Sequence, residues 1–317
     1  MSFDVPILLI FFNRPETFGQ VFEQVRRARP AKLYLAQDGA RNDADRVKIE
    51  ECRKIAENID WDCEVHRLYP EENRGCGRMP FSAISWILAA EEQAIILEDD
   101  CVPAETFFSY CKDMLEYFRA DKRVAYISGL NHFGEWDCGD NSVFYAKTGA
   151  IWGWATWRDR WMQNDYFVSD IHDDYLQKLL TECIHNKAVA TDRIAGWERA
   201  AQVKSTKENI SFWDIQWGFV KYSQNLLVVV PRVNQITNIG VGAASTHAQN
   251  SRDTSWNKYK NFVFIPSKAL DFPLKVPKYM ICDEKYDNLV YKASEKSLLT
   301  RLKIKIKKII GGLHNEN

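Results

Sequence analysis

Short apolar runs alternate with amphipathic segments over the first third of the chain, and this alternation limits the possible fold more than any other feature. The runs at 5–12, 32–39, 63–69 and 94–97 have the length and composition of strands. Helical spacing of apolar residues is found between them. Strands that alternate with helices form a mainly parallel sheet, so the sequence predicts an α/β fold with ligands bound at the carboxyl ends of the strands.

The composition of the sequence changes after Pro103. Eight of the eleven tryptophans lie between Trp136 and Trp217, which predicts a second lobe that abuts the first. We therefore expect lobes at 1–103 and 104–265 and a C-terminal extension at 266–317. Further helices are expected at 105–119, 173–186, 191–203 and 212–223, and further strands at 123–129 and 226–231.

Composition excludes several classes of protein. The 42 basic and 43 acidic residues nearly cancel, so no overall field would recruit nucleic acid, and we expect no nucleic-acid partner. The eight cysteines form no CxxC pair and are expected to be reduced thiols. The apolar run at 5–12 is short and has no basic residue before it, unlike a secretory signal, so we expect a cytoplasmic protein.

Three adjacent acids, Glu98, Asp99 and Asp100, follow directly on the apolar run at 94–97. Adjacent carboxylates repel one another, and a cation at this place would relieve the repulsion. Mg²⁺ or Mn²⁺ held by one or two carboxylates completes its shell with water and substrate phosphates, which predicts a nucleotide diphosphate as ligand. The alternative is a solvated acidic turn before a helix whose N-terminus favours negative charge.

Polar residues also end the first two predicted strands. Arg14, beside Asn13, follows strand one and would bind a phosphate or the nucleotide. Asp38 follows strand two and would accept a hydrogen bond from a base or a ribose hydroxyl. In a parallel sheet both positions lie at the same edge as the acidic triplet. The alternative is that both are ordinary turn residues.

Taken together, five motifs in this order resemble those of the GT-A glycosyltransferases, specifically bacterial family-2-like enzymes and, more distantly, N-acetylglucosaminyltransferase I. The resemblance covers residues 5 to about 250, and an insertion at about 162–210 departs from the eukaryotic pattern. The motifs are Asn13-Arg14-Pro15, Gln37-Asp38-Gly39, Glu98-Asp99-Asp100, Trp152-Gly153-Trp154 and Phe212-Trp213-Asp214.

The resemblance implies a GT-A (Rossmann-like) fold with a nucleotide-sugar-binding lobe and an acceptor-binding, catalytic lobe. It implies that Asp100 coordinates Mn²⁺ or Mg²⁺ and that Asp214 is the catalytic base. Arg74 lies in a region where relatives carry a histidine. The residues implied to contact the nucleotide sugar are Asn13, Arg14, Asp38, Arg74, Glu98, Asp99, Asp100 and Trp213.

The surroundings of Asp214 in the sequence suit a base. Inverting glycosyl transfer needs one group to take the proton from the attacking hydroxyl, and one carboxylate suffices. Trp213 and Trp217 would exclude water and raise the pKa of that carboxyl group. The alternative is that Asp214 caps a helix whose aromatic residues belong to the core.

Two further segments carry predictions. The glycine-containing loop at 238–247 ends in His247, which either completes the metal shell or is a surface or hydrogen-bonded residue. Residues 296–310 contain six basic and no acidic residues and form a basic amphipathic pattern suited to an anionic membrane surface. A charged strand or a solvated tail are the alternatives for this segment.

The sequence thus predicts a metal-dependent inverting glycosyltransferase. The donor would be a nucleotide sugar, expected to be a UDP-sugar, and the acceptor a saccharide or lipid-linked saccharide in surface glycan synthesis. We expect the enzyme in the cytoplasm, in peripheral contact with the inner face of the membrane. The alternatives are a non-catalytic saccharide-binding or scaffold protein of the same fold and a sugar nucleotidyltransferase.

Overall fold

The computed structural model describes residues 3–206, 210–240 and 262–294. The strands are β1 (Ile7–Phe11), β2 (Lys32–Gln37), β3 (Glu64–Leu68), β4 (Gln93–Glu98), β5 (Cys101–Pro103), β6 (Val124–Ser128), β7 (Val143–Ala146), β8 (Trp154–Trp157), β9 (Leu227–Pro231) and β10 (Ile236–Asn238). The helices are α1 (Pro15–Ala28), α2 (Asp43–Ala56), α3 (Gly75–Ala90), α4 (Phe107–Tyr117), α5 (Arg158–Trp161), α6 (Asp174–Cys183), α7 (Lys187–Thr206), α8 (Asp214–Ser223) and α9 (Glu284–Ser294), with a 3-10 turn at Ser169–His172.

The centre of the molecule is an eight-stranded sheet with the order β3-β2-β1-β4-β8-β6-β9-β7. The first four strands in this order, β3, β2, β1 and β4, run parallel to one another, as the sequence predicts. Ile10 pairs with Glu98 and Phe11 pairs with Gln37, so the carboxyl ends of β1, β2 and β4 lie at one edge. The fold is the predicted α/β architecture, a mainly parallel sheet flanked by helices.

The other half of the sheet contains two strands that the sequence analysis did not predict. β8 lies antiparallel between β4 and β6, and β7 lies antiparallel to β9. Each has only four residues, which is too short for a period to be recognised in the sequence. Strands of both expected lobes therefore share one sheet, and the lobe boundaries at 103 and 265 stay a prediction.

Two apolar cores cover the two faces of this sheet and determine which way Glu98 faces. Ile95 and Leu97 belong to the core on the side of α1 and α4, whereas Ala94 and Ile96 belong to the core on the side of α3 and α8. Side chains alternate along a strand, so Glu98 lies on the face that α3 and α8 cover. Burial of each such Ile or Leu contributes roughly 1.5–3 kcal/mol, which opposes a one-residue slip of β4.

The segment at about 162–210 forms a third core. In it α6 and α7 pack against α8, and Trp197 of α7 is fully buried. This packing supports the helix that begins at Asp214. Within the described part of the chain, no helix has both the length and the apolar character needed to span a bilayer.

The short pairing of β5 with β10 returns a distant segment to the end of β4. Asn238 pairs with Cys101, and the backbone N–H of Ile239 donates to the carbonyl oxygen of Asp100 at 2.8 Å. The chain that follows β10 therefore begins beside the acidic triplet.

Candidate active site

Arg14 joins the end of β1 to the acidic triplet at the end of β4. Pro15 occupies the first turn of α1, where its fixed φ suits a helix start, and this places Arg14 at the N-cap position. The Arg14 guanidinium contacts the Asp99 carboxylate, and its Nη1 lies 3.0 Å from Asp100 Oδ2. Asp99 also accepts a hydrogen bond from the backbone N–H of Phe12 at 3.2 Å. The two predicted motifs therefore form one cluster.

Glu98 lies in a crowded acidic environment. Burial, followed by the negative charges of Asp100 and Asp99, raises the pKa of Glu98 to about 8, and Asp214 adds to this shift while Arg14 opposes it. Burial also raises the pKa of Asp99 to about 6 against the opposing effect of Arg14. Glu98, Asp99 and Asp100 thus interact with one guanidinium, and Asp214 acts on Glu98, so these acids outnumber the one positive charge of Arg14.

Asp100 is the most accessible of the acids that contact Arg14, because 13% of its side chain is exposed against 4% for Asp99. Its Oδ1 accepts a hydrogen bond from Asn238 Nδ2 at 3.3 Å. Gly240 lies directly against the Asp100 carboxylate, and a Cβ at this position would fill the space beside Oδ2. The chain after β10 therefore packs closely on Asp100, and Asn238 helps to orient its carboxylate.

Asp38 is buried and is held by the segment that leads into α3. Its carboxylate accepts hydrogen bonds from the backbone N–H groups of Arg74 and Gly75, both at 2.8 Å, and from Asn73 Nδ2 at 3.0 Å. The N–H of Gly39 donates to it as well. Burial raises the pKa of Asp38, and these N–H donors oppose the shift. Asp38 thus fixes the start of α3, and a contact with nucleotide from Asp38 or Arg74 stays a prediction.

Asn13 is oriented away from the triplet by a second acid. Its Nδ2 donates to Asp45 Oδ1 at 2.6 Å, and Asp45 also binds Arg41 through Nε at 2.7 Å. The Arg41 guanidinium lies 4.9 Å from the centroid of the Phe12 ring. These contacts tie the first turn of α2 to the end of β1. A role of Asn13 in binding nucleotide remains untested by this geometry.

Asp214 reaches the site because the segment before α8 packs on the first turn of α3. The carbonyl groups of Ile210 and Phe212 leave no room for a side chain at Gly77, so a glycine is needed at this crossing. α8 then begins at Asp214. Because Asp214 contributes to the raised pKa of Glu98, the two carboxyl groups interact across the face of the sheet.

The tryptophans around Asp214 form a packed aromatic cluster. Trp213 is 6% exposed and stacks on Trp154 with ring centroids 6.1 Å apart, and Trp161 and Trp217 lie against the same rings. Trp154, Trp157 and Trp161 are buried in the core, and Trp152 is half-buried against it. Trp213 has little surface left for a ligand, and its contact with a donor sugar stays a prediction.

A metal site is present only in part among the described residues. Within 3–206, 210–240 and 262–294, no three His, Cys, Asp or Glu side chains converge as ligands. The oxygen donors at Asp100 nevertheless suit Mg²⁺ or Mn²⁺, which take one or two carboxylates together with phosphate oxygens. The Asp100 side chain is 13% exposed, so its carboxylate is accessible to such a cation. His247 and the basic segment at 296–310 lie outside the described residues.

Sequence reasoning missed Asn238 as a partner of Asp100. It did single out the loop that begins at Asn238, but for its glycines and for His247. The buried amide is placed by the pairing of β10 with β5, which joins residues more than a hundred positions apart. No local pattern could have indicated that pairing.

Comparison with known proteins gives little beyond this geometry. No protein-family model and no curated protein matches the chain. It is similar to UDP-glucose pyrophosphorylase complexed with UDP-glucose at 9% identity and a TM-score of 0.37, over 73% of this chain and 91% of that one. The apo form of a UDP-glucose pyrophosphorylase gives 9% identity and a TM-score of 0.37 over 74% and 93% of the two chains. HddC from Yersinia pseudotuberculosis gives 10% identity and a TM-score of 0.29 over 50% and 78%. These scores are too low to support an argument about function.

Proposed function

We propose that this protein is a metal-dependent inverting glycosyltransferase of the GT-A type. It transfers a sugar from a nucleotide diphosphate donor, expected to be a UDP-sugar, to a saccharide or lipid-linked saccharide. The observation that supports the proposal is the cluster of Glu98, Asp99 and Asp100 with Arg14, in which Asp214 acts electrostatically on Glu98. Such an excess of negative charge at the carboxyl edge of a sheet suits a divalent cation that arrives with a pyrophosphate.

In this proposal the residues at the end of β4 hold the donor. Asp100 would ligate the cation through its partly exposed carboxylate, and Asn238 and Arg14 keep that carboxylate in position. When bound, the cation would neutralise charge that develops on the leaving diphosphate. Arg14 provides a second positive charge beside it and is preorganised by its contact with Asp99.

Asp214 acts on the acceptor side of the site. It would take the proton from the attacking hydroxyl as that oxygen bonds to the anomeric carbon and the bond to the diphosphate breaks. The proton moves to a carboxylate oxygen, and the sugar inverts at the anomeric carbon. The aromatic cluster of Trp154, Trp213 and Trp217 excludes water behind Asp214.

Isothermal calorimetry with UDP and MnCl₂ tests donor binding. We expect heat that depends on the metal for the wild-type protein and at least about a 100-fold weaker affinity for Asp100→Asn, since a direct metal ligand is lost. Asp62→Asn, which changes an exposed acid between α2 and β3, is the matched control and should bind normally. A protein that binds neither UDP nor UDP-sugars with Mn²⁺ or Mg²⁺ would contradict the proposal.

Product analysis separates transfer from the two alternatives. Incubation with UDP-sugars and saccharide acceptors should release UDP, and Asp214→Asn should lower this turnover by about 1,000-fold or more while UDP binding is retained. A nucleotidyltransferase would instead release pyrophosphate from UTP and a sugar phosphate. A scaffold protein would release neither product. Normal turnover by Asp214→Asn would exclude Asp214 as the base.

A further inference from the structure

The insertion at about 162–210 contributes more than packing to the helix that carries Asp214. Trp197 of α7 donates from Nε1 to the carbonyl oxygen of Ile215 at 2.8 Å. One residue earlier, the position of a Cβ on Gly196 would lie 3.0 Å from Ile215 Cδ1, so the backbone of α7 packs closely on the Ile215 side chain of α8. α7 is therefore held in a defined position against the first turn of α8.

One turn before Trp197, Arg193 extends its guanidinium along α8. Its Nη1 lies 3.5 Å from the position of a Cβ on Gly218, and its Cζ lies 5.4 Å from the centroid of the Tyr222 ring. Asp214, Gly218 and Tyr222 are spaced by four residues and share one face of α8. Arg193 thus lies along the face that presents Asp214.

The hydroxyl of Tyr126 provides a second, independent indication that these charges are close together. Burial raises the pKa of Tyr126. The charges of Tyr222 and Asp214 add to this shift, whereas Arg193 opposes it. Both charged groups therefore act on the same hydroxyl beneath α8.

We propose that Arg193 is a positioning residue that holds the Asp214 carboxylate in place from the adjacent helix. This inference rests on the proposed role of Asp214 as the base. A guanidinium has a fixed geometry and always carries its charge, so it can hold a carboxylate without taking its proton. The insertion would then complete the catalytic lobe by adding a cation to the acceptor side.

Steady-state kinetics give the first test. Arg193→Gln should lower kcat by about 10- to 100-fold and leave the donor KM within about twofold, because a misplaced base affects the chemical step rather than donor binding. Arg193→Lys keeps the charge and should recover kcat to within about threefold of wild type. Arg199→Gln, which changes an exposed arginine of the same helix, should have no effect on either constant.

A double-mutant cycle measures the coupling between Arg193 and Asp214 through stability, independently of activity. Urea midpoints of Arg193→Gln, Asp214→Asn and the double variant should be non-additive, with the double variant no less stable than the less stable single variant. Loss of turnover in Asp214→Asn together with additive midpoint shifts would overturn only the role of Arg193. Wild-type turnover by Asp214→Asn would overturn the proposed function itself.

Discussion

Two buried acidic regions of this protein differ in how their charge is balanced. Asp287 of α9 accepts hydrogen bonds from the backbone N–H groups of Lys147 and Thr148, at 3.0 and 2.9 Å, and from Thr148 Oγ1 at 2.5 Å. Cys282 Sγ donates to it as well. For Glu98, by contrast, burial and then the like charges of Asp100 and Asp99 raise the pKa to about 8.

The difference separates a structural carboxylate from a functional one. A buried carboxylate surrounded by donors stabilises the fold, since its lone pairs are satisfied without water. Carboxyl groups that repel one another destabilise the fold and persist where a bound ligand supplies the missing charge. By this criterion Asp287 joins α9 to the segment that follows β7, and we propose the cluster of Glu98, Asp99 and Asp100 as a binding site.

The largest effect should come from neutralising the structural acid. Asp287→Asn replaces one carboxylate oxygen with an NH₂ group, which cannot accept a hydrogen bond. Donors at Lys147 and Thr148 are therefore left without their acceptor. We expect the free energy of unfolding to fall by about 3 kcal/mol, the cost of two or more unsatisfied buried donors. Urea unfolding would measure this, with Asp271→Asn at an exposed position as the control. Stability equal to wild type would contradict the distinction drawn between the two regions.

A buried lysine near Asp287 should make stability depend on pH. Burial and the charge of Arg193 lower the pKa of Lys221 to about 7, and Asp287 opposes this shift. In the unfolded chain Lys221 keeps its proton up to about pH 10. The unfolded chain therefore binds more protons than the folded chain between pH 7 and 10, and the free energy of unfolding rises with pH across this window. The contribution is at most about 1.4 kcal/mol per pH unit.

Lys221→Met removes this titration and retains most of the side-chain volume. Urea unfolding of both proteins at pH 7, 8 and 9 should show a difference in stability that changes in favour of the wild type as pH rises. The difference between the two proteins cancels the contribution of the tyrosines and cysteines, because these residues titrate in both. A difference that stays constant over these pH values would show that Lys221 keeps an ordinary pKa in the folded state.

The acidic edge was predictable from the sequence because its parts are local. An apolar run that ends in Glu98-Asp99-Asp100 indicates a buried strand with acids at its end, and parallel pairing then brings Arg14 to the same edge. For Asp38 the sequence left a ligand and a turn residue as equal alternatives. The structure places its carboxylate on N–H groups 35 to 37 residues away, which no local pattern could indicate.

The acceptor side was less predictable, since it depends on how helices pack. Asp214 was proposed from a short motif, but Arg193 lies in an insertion whose position is set by the contact of Trp197 with Ile215. Neither Arg193 nor Asn238 belongs to a periodic pattern that points to the site. The short strand β8 was missed for a similar reason, because pairing with β4 and β6 identifies it, rather than its own four residues.

The smallest expected effect has the opposite sign to that at Asp287. Glu98→Gln removes a group whose ionised form is disfavoured by burial and by Asp99 and Asp100. In EDTA at pH 7.5 we expect the free energy of unfolding to rise by about 1 kcal/mol, because the unfolded chain ionises Glu98 freely whereas the folded chain disfavours that form, and glutamine keeps the shape without this cost. Addition of Mn²⁺ and UDP should stabilise the wild type more than the variant, so the difference between their free energies of unfolding should become smaller. If Glu98→Gln destabilised the protein as Asp287→Asn does, Glu98 would be a structural acid, and the excess of negative charge would no longer identify a binding site.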